Sequence, residues 1–296
     1  MALQNSIGHS TLLPSLGVLA TGCVWGLFWY PLRAIQAEGV SGDWVNLVFF
    51  GVCAAVILPW ALRGNMLSGA RAEQWLIGLL LGTAFAFYTL SLVMTEVVRA
   101  LLLFYLTPVW SSLIGVAFLG QRLTRRRALA LGLGFAGLWL IIRNEQGLPI
   151  PANAGDWIGL LAGLCWSLGT LGSYHRPSGS IPVSVLAFSL GGLAVTVVVM
   201  AIRHSLGDLS TDMAALGRMT PLLLTLGLLM FSIPTILVLW AAQRVEPARV
   251  GILLLAEVLI GTISAALLTT EPFGLVQAAG ATLIVTAAVV EITARE

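Results

Sequence analysis

The sequence predicts an all-α integral membrane protein with ten transmembrane helices. Hydrophobic residues make up 58% of the 296-residue chain and charged residues only 9%, and the mean hydropathy is +0.96. A soluble domain carries roughly a quarter charged residues, so this composition excludes a soluble enzyme, a nucleic-acid-binding protein and a disordered chain. The chain also contains ten continuous apolar runs. Because they are too long for barrel strands and do not alternate between apolar and polar residues, they predict transmembrane helices.

The ten runs follow one another with short polar separators. Tryptophans stand at several run ends, where an indole prefers the headgroup level of a bilayer. No arginine precedes the first run and no small-residue cleavage site follows it, so we expect a retained helix and not a cleaved signal peptide. In chain order the runs cover residues 13–34, 44–62, 75–94, 97–119, 128–142, 157–174, 183–202, 222–242, 250–269 and 273–292.

The arginines predict the orientation in the membrane. All fifteen basic residues are arginine, and an even number of spans places both termini on one side. With that side in the cytoplasm, ten arginines lie inside and five outside, and the cluster at 122–127 lies inside. Cytoplasmic loops are rich in arginine and lysine. We therefore expect a multi-pass protein of the inner (plasma) membrane with cytoplasmic N- and C-termini, in which this cluster fixes topology and contacts anionic lipid.

The two halves of the chain resemble each other. An E-x-x-R sequence at 96–99 stands 150 residues before another at 246–249, and each precedes a long apolar run. These correspondences predict two five-helix units, residues 1–150 and 151–296. Because five is odd, the second unit must be inverted in the membrane. Inverted repeats are typical of secondary transporters, whose substrate site lies near the bilayer midplane. The alternative is coincidence among leucine-rich helices.

Two stretches resemble a known family. Residues 105–110 read YLTPVW and residues 118–124 read FLGQRLT, which resembles the hallmark of the EamA-type drug/metabolite transporter superfamily, Y-L-x-P-V-F and L-G-E-x-L-T around a small-residue helix. Residues 255–273 form a weaker copy, and Gln121 stands where the family often has Glu. The resemblance implies a ten-helix carrier with cytoplasmic termini, often an exporter of metabolites or amino acids. In build the chain is also similar to the aromatic amino-acid exporters.

Glu257 is the main functional candidate, because it lies deep in the ninth run between leucines, valine and isoleucine. A carboxylate at that depth costs several kcal/mol unless it is paired, protonated or hydrated, and such residues usually mark substrate or proton pathways. The alternative is a structural carboxyl group that is hydrogen-bonded to a neighbouring helix. Many members of the resembled family carry Glu here with diverse substrates, which is compatible with either role.

Aromatic and hydroxyl side chains recur at helical spacing in corresponding runs of both halves. Such side chains at mid-membrane depth form a cavity that stacks a flat or zwitterionic solute, or they join helices by hydrogen bonds. For the set we favour the cavity. The predicted substrate-binding residues are Trp25, Tyr88, Tyr105, Thr107, Trp110, Trp166, Thr170, Ser232 and Glu257.

Two further features suggest sites of conformational change. Pro108 and Pro234 lie inside apolar runs, where a proline frees a backbone carbonyl and commonly marks backbone that lines a cavity. The two E-x-x-R pairs are candidate gating residues; alternatively, their carboxylates simply suit helix N-termini. The gating candidates are Glu96, Arg99, Glu246 and Arg249.

The remaining function classes fit the chain less well. Aspartates and histidines lie at run ends or in loops, so an intramembrane protease or another intramembrane enzyme is the less favoured hypothesis, and a P-loop is excluded because the chain has no lysine. No filter-like loop of a channel is present. Cysteine and histidine spacing indicates no metal site, and we expect no cofactor.

The sequence therefore predicts a secondary active transporter, not an enzyme. The expected activity is export of a small metabolite by alternating access, with an amino acid or small aromatic or zwitterionic solute as substrate. A multidrug or cationic-compound exporter is the alternative. Phosphorylated substrates are disfavoured, because every arginine lies near a run end. The expected partners are the small-molecule substrate, the lipid bilayer and a coupling proton, and we expect no nucleic acid.

Overall fold

The computed structural model describes residues 11–63, 66–95, 100, 103–120, 123–142, 151, 153–177, 180–207, 210–268 and 274–293. Within these ranges every regular element is helical. Glu96, Arg99, Gln121 and residues 269–273, the end of the weaker family-like stretch, lie outside the described residues.

The first half of the chain, residues 1–150, contains six described helices and the second half, residues 151–296, contains seven. The described part of the second half also contains one π-helical segment, Gly227–Ser232. The helices of the first half are α1 (Leu12–Gly26), α2 (Trp29–Ala37), α3 (Gly42–Ala61), α4 (Ala72–Met94), α5 (Thr107–Leu119) and α6 (Arg125–Ile142). Those of the second half are α7 (Ala154–His175), α8 (Ile181–Ser205), α9 (Met213–Leu226), α10 (Ile233–Ala242), α11 (Pro247–Leu254), α12 (Ala256–Leu268) and α13 (Leu275–Thr293).

Several of these segments are long and apolar enough to cross a bilayer. A span needs about 20 residues, and five segments in the described ranges meet that length and hydropathy, with two shorter apolar helices besides. The helical membrane fold is therefore confirmed, whereas the number of ten spans stays a prediction. The five long segments are Leu12–Ala37, Gly42–Ala61, Ala72–Leu92, Ile181–Ser205 and Met213–Ala242, and the shorter helices are Thr107–Phe118 and Ala278–Ala287.

The outer surface of the bundle is apolar. Phe118, Leu267 and Leu275 are 81%, 79% and 90% exposed. Water-facing surfaces rarely carry large contiguous apolar patches, whereas lipid chains solvate such side chains well. The exposed faces of these helices therefore fit a hydrocarbon environment.

Close packing between the halves depends on small residues. Helix α4 packs against α7 and α8, α3 packs against α8, α6 packs against α13, and α1 packs against α10 and α12. At the α4–α8 crossing, a Cβ added to Gly82 would lie 2.3 Å from the backbone nitrogen of Gly192. Only glycine permits that approach, which is how membrane helices gain contact without a hydrophobic drive.

Three apolar runs are broken where one continuous helix would be the simplest expectation. The run at 13–34 is divided between α1 and α2 by a turn at Leu27 and Phe28, the segment at 103–104 is separated from α5 by a turn at 105–106, and Leu255 separates α11 from α12. The last two breaks lie 150 residues apart. Pro108 accordingly lies in the first turn of α5, where a missing N–H costs little. Pro234 lies inside the continuous helical segment Met213–Ala242, two residues after its π-helical part.

Candidate functional site

Glu257 lies at one of these breaks, in the first turn of α12. A carboxylate suits this position, because the first N–H groups of a helix lack partners within the helix. Its Oε1 accepts a hydrogen bond from the Tyr88 hydroxyl at 3.3 Å, and its Oε2 accepts one from the Tyr105 hydroxyl. Both tyrosines belong to the first half of the chain and Glu257 to the second. The carboxylate therefore joins the two halves.

Aromatic rings surround this carboxylate and its tyrosines. The Phe104 ring lies 4.4 Å from that of Tyr88 and 6.3 Å from that of Trp166, centroid to centroid. The Trp25 ring lies 6.4 Å from Trp166 and 5.8 Å from Phe85, edge to face in both cases. Such arrangements stabilise packed rings. We call this group the aromatic cluster; its members are Trp25, Phe85, Tyr88, Phe104, Tyr105 and Trp166.

Helix α1 fixes the backbone beneath Glu257. A Cβ added to Gly26 would lie 2.6 Å from the carbonyl oxygen of Glu257. One turn earlier, a Cβ on Gly22 would lie 3.3 Å from the Glu257 backbone nitrogen. Glycine therefore allows α1 to lie directly against the turn that carries the carboxylate, and a larger residue would displace that turn.

The same helix is hydrogen-bonded to α10 and to the π-helical segment before it. Trp25 Nε1 donates to the carbonyl of Met230 at 3.2 Å, and the Thr21 hydroxyl donates to the carbonyl of Pro234 at 3.2 Å. At the start of α2, Trp29 Nε1 donates to the hydroxyl of Ser264 in α12 at 2.9 Å. Helix α1 thus contacts α10 and the segment before it through polar side chains and α12 through its glycines, and α2 adds the Trp29 hydrogen bond to α12.

Four other predicted binding residues lie outside the aromatic cluster. The Thr170 hydroxyl donates to the carbonyls of Trp166 and Ser167 in its own helix, and the Ser232 hydroxyl donates to the Gly227 carbonyl at 2.6 Å. Thr107 is buried at the start of α5. Trp110 makes none of the ring contacts, and its buried Nε1 has no partner among the described residues.

The predicted gates are only partly described. Glu246 forms an ion pair with Arg127 of the first half, and Arg249 in α11 is almost fully buried, with 2% of its surface exposed. Glu96 and Arg99 lie outside the described residues, so the expected pairing in the first half is untested.

Further ion pairs also link the halves. Arg127–Glu246 and Arg176–Glu73 lie at one end of the bundle, where α4, α6 and α11 begin and α7 ends, and the other two lie at the opposite end. Two of the pairs are exposed, and such surface pairs are individually weak, whereas the other two are largely buried. A motion that separates the halves must break or rearrange all four. The four pairs are Arg127–Glu246, Arg176–Glu73, Arg203–Asp43 and Arg218–Glu38.

Sequence reasoning missed Phe85 and Phe104, which complete the aromatic cluster. Phe85 precedes Tyr88 by three residues and so shares its helix face, a spacing that would have identified it. The Met230 carbonyl was also missed, because the π-helical segment around it has no simple sequence signal.

Among the described residues, the site offers one carboxylate, that of Glu257, and aromatic surfaces. A carboxylate binds a proton or a cationic group, and aromatic faces attract cations and stack flat solutes. In the part of the chain that the structure describes, no group of three or more His, Cys, Asp or Glu side chains could hold a metal ion.

A multi-pass helical bundle with an interior carboxylate between its halves is typical of membrane transporters. The model of the EamA-like transporter family matches residues 12–143 and again residues 153–293. This chain belongs to that family.

One curated protein and one solved structure are similar to this chain over most of its length. The chain is 25% identical over 257 residues to an uncharacterized transporter of Archaeoglobus fulgidus, covering 85% of this chain and 87% of the relative. It also superposes on a solved crystal structure with a TM-score of 0.74, over 95% of this chain and 98% of the other, at 20% identity. At that identity the likeness to the crystal structure concerns the fold alone.

Proposed function

We propose that this protein is a secondary active carrier that exports a small metabolite across the inner membrane by alternating access. The observation that carries the proposal is the Glu257 carboxylate, whose oxygens accept hydrogen bonds from Tyr88 and Tyr105 inside the aromatic cluster. Intramembrane carboxylates that face partners across a bundle commonly serve substrate or ion pathways. Membership of a transporter family supports the same role.

The proposed architecture is a pair of inverted five-helix units, residues 1–150 and 151–296, with ten spans and cytoplasmic termini. Two matches to one family model support the duplication. The helix breaks at 105–106 and at Leu255 support it as well, because they lie 150 residues apart and both adjoin Glu257 or its tyrosine partner. Discontinuous helices at corresponding positions are typical of carrier binding sites.

The proposed substrate has a flat apolar body and a protonated amine. In this proposal the rings stack the body and Glu257 receives the amine, as suits an amino acid or a small aromatic zwitterion, including those that aromatic amino-acid exporters move. A cationic drug-like compound is the second candidate, because a carboxylate beside aromatic faces also attracts organic cations. Thr107, Trp110, Thr170 and Ser232 are proposed to extend the site.

The proposed driving force is a proton gradient. Glu257 is the carboxylate held by the two tyrosines, so proton binding there would alter the contact between the halves. The proposed gates are ion pairs at the ends of the bundle, with Glu246 and Arg249 at one end and Glu96 and Arg99 at the other.

Purified protein in proteoliposomes tests the proposal. Uptake of labelled aromatic amino acids, other amino acids, nucleobases and cationic dyes is measured with and without a pH gradient, against protein-free liposomes. The Glu73→Gln variant serves as a matched control, because Glu73 pairs with Arg176 on the exposed end of the bundle. Saturable uptake that a pH gradient drives uphill supports the carrier. Uptake of every compound at the protein-free rate would overturn it.

A further inference from the structure

The change from π-helix to α-helix at the start of α10 leaves one backbone carbonyl in an unusual position. In a regular α-helix the N–H of residue 234 would donate to the carbonyl of residue 230. Residue 234 is proline, which has no N–H. The Met230 carbonyl instead accepts a hydrogen bond from Trp25 Nε1 of the other half, at 3.2 Å. Met230 lies in the π-helical segment, which ends two residues before Pro234.

A second hydrogen bond holds the two helices in this alignment. Thr21 precedes Trp25 by one helical turn, and its hydroxyl donates to the carbonyl of Pro234 at 3.2 Å. Thr21 is buried, with 1% of its surface exposed, and Pro234 is also buried. Two side chains of α1 thus bind carbonyls that lie four residues apart, one on α10 and one in the segment before it. These two bonds fix the position of α1 along its axis and its rotation about that axis.

This alignment determines where the Trp25 ring lies. With its N–H directed to Met230, the indole presents its ring to Phe85 and Trp166 at 5.8 Å and 6.4 Å. Trp25 therefore joins the aromatic cluster through its ring, and its only hydrogen-bond donor is already used. A substrate in the proposed site would meet an indole face and not an indole N–H.

We infer that Pro234 is a positioning residue: it makes the Met230 carbonyl available to Trp25 and thereby sets the ring that selects the substrate. The inference rests on the proposed function for its transport readout. The hydrogen bond between Trp25 and the Met230 carbonyl can also be tested without a transport measurement.

The transport test compares Pro234→Ala, Trp25→Phe and the double variant. Pro234→Ala restores an N–H that competes for the Met230 carbonyl, and Trp25→Phe keeps a ring but removes its donor. Each single change is expected to raise KM about two- to twelvefold, the range for loss of one neutral hydrogen bond, with kcat little changed. The double variant should be no worse than the poorer single variant, because both changes remove the same contact.

Pro221→Ala is the matched control, because Pro221 also lies inside a helix of the same segment and makes none of these contacts. It should leave KM unchanged. Additive effects in the double variant, or an equal rise in KM for Pro221→Ala, would overturn the inference.

The transport-independent test uses the indole N–H resonances of protein labelled with ¹⁵N-tryptophan. The Trp25 and Trp110 resonances are identified by their loss in Trp25→Phe and Trp110→Phe. In the parent, the Trp25 proton should resonate downfield of the Trp110 proton, because the buried Trp110 Nε1 has no partner in the described structure. In Pro234→Ala the Trp25 proton should move upfield, and in Pro221→Ala it should stay.

These outcomes separate the two proposals. A Trp25 proton upfield of Trp110 in the parent overturns the positioning inference, even if Pro234→Ala does not fold. The expected shifts without transport of any tested compound would leave the positioning intact and overturn the carrier proposal.

Discussion

Replacement of Glu257 by glutamine tests the centre of the proposed mechanism. Glu257→Gln keeps the length of the side chain and a hydrogen-bonding head, but it removes the ability to bind and release a proton. In the parent, two tyrosine hydroxyls donate to the two carboxylate oxygens. In the variant one oxygen still accepts from a tyrosine, and the amide NH₂ must donate to the hydroxyl oxygen of the other.

The expected loss of stability is modest. A hydrogen bond to a charged group contributes about 1.5–3 kcal/mol, and one between neutral groups about 0.5–1.5 kcal/mol. If Glu257 is ionised in the resting protein, exchanging two such bonds lowers the free energy of unfolding by about 2–3 kcal/mol. If the carboxyl group is protonated, the loss is under about 1 kcal/mol. Thermal unfolding in detergent at neutral pH distinguishes the two cases.

The functional consequence is expected to be larger. In proteoliposomes, Glu257→Gln should still exchange labelled for unlabelled substrate, because the rings and the backbone of the site remain. It should lose accumulation driven by a pH gradient. Glu73→Gln, which removes a carboxylate from an exposed ion pair, should behave as the parent in both assays.

A Glu257→Gln variant that responds to the pH gradient as the parent does would refute this reasoning and make Glu257 structural. Glu257→Asp provides the complementary result. It keeps a titratable group but shortens the reach toward Tyr88 and Tyr105, so gradient-driven uptake should persist at a lower rate.

Three further predictions concern the rings, the ends of the bundle and the topology. Trp166→Ala should raise KM more than Trp110→Ala, because the Trp166 ring contacts the aromatic cluster and the Trp110 ring does not; the reverse order in an uptake assay would contradict the site. Arg127→Glu should impair exchange by placing two carboxylates together, and its combination with Glu246→Arg should restore it; a double variant as poor as the single one would argue against that pair. Arg125→Cys in a cysteine-free background should escape an impermeant thiol reagent in intact cells, and labelling there would reverse the proposed orientation.

The fold could be predicted from the sequence to the extent that it depends on hydropathy. The run at 183–202 corresponds to Ile181–Ser205, because a long apolar stretch in a membrane must satisfy its backbone groups as a helix. The π-helical segment and the break at Leu255 were not predicted. Such irregularities depend on contacts with other helices, so they cannot be predicted from the local sequence.

The candidate site could likewise be predicted only in part. The depth of Glu257 in an apolar run identified it directly, and helical spacing identified Tyr88 and Trp166. Spacing could not separate these from Thr170 or Ser232, which occupy equally plausible faces. Their hydroxyls turn back to carbonyls of their own helical segments, and that choice depends on rotamer and on the available partners.

The position of Glu257 between the halves suggests how a proton would be coupled to motion in the proposed carrier. Its carboxylate is on the second half, while Tyr88, Tyr105 and the close backbone contact at Gly26 belong to the first. Neutralising the carboxylate would weaken two hydrogen bonds between the halves by about 1–1.5 kcal/mol each. Coupling free energies between sites are typically about 1–3 kcal/mol, so these two bonds are of the right size to bias the conformation. In this proposal the end ion pairs, two of which are exposed and weak, follow this equilibrium and need not drive it. A carrier built this way is controlled from its centre, and changes at Glu257 should shift its conformational balance more than changes to any one end pair.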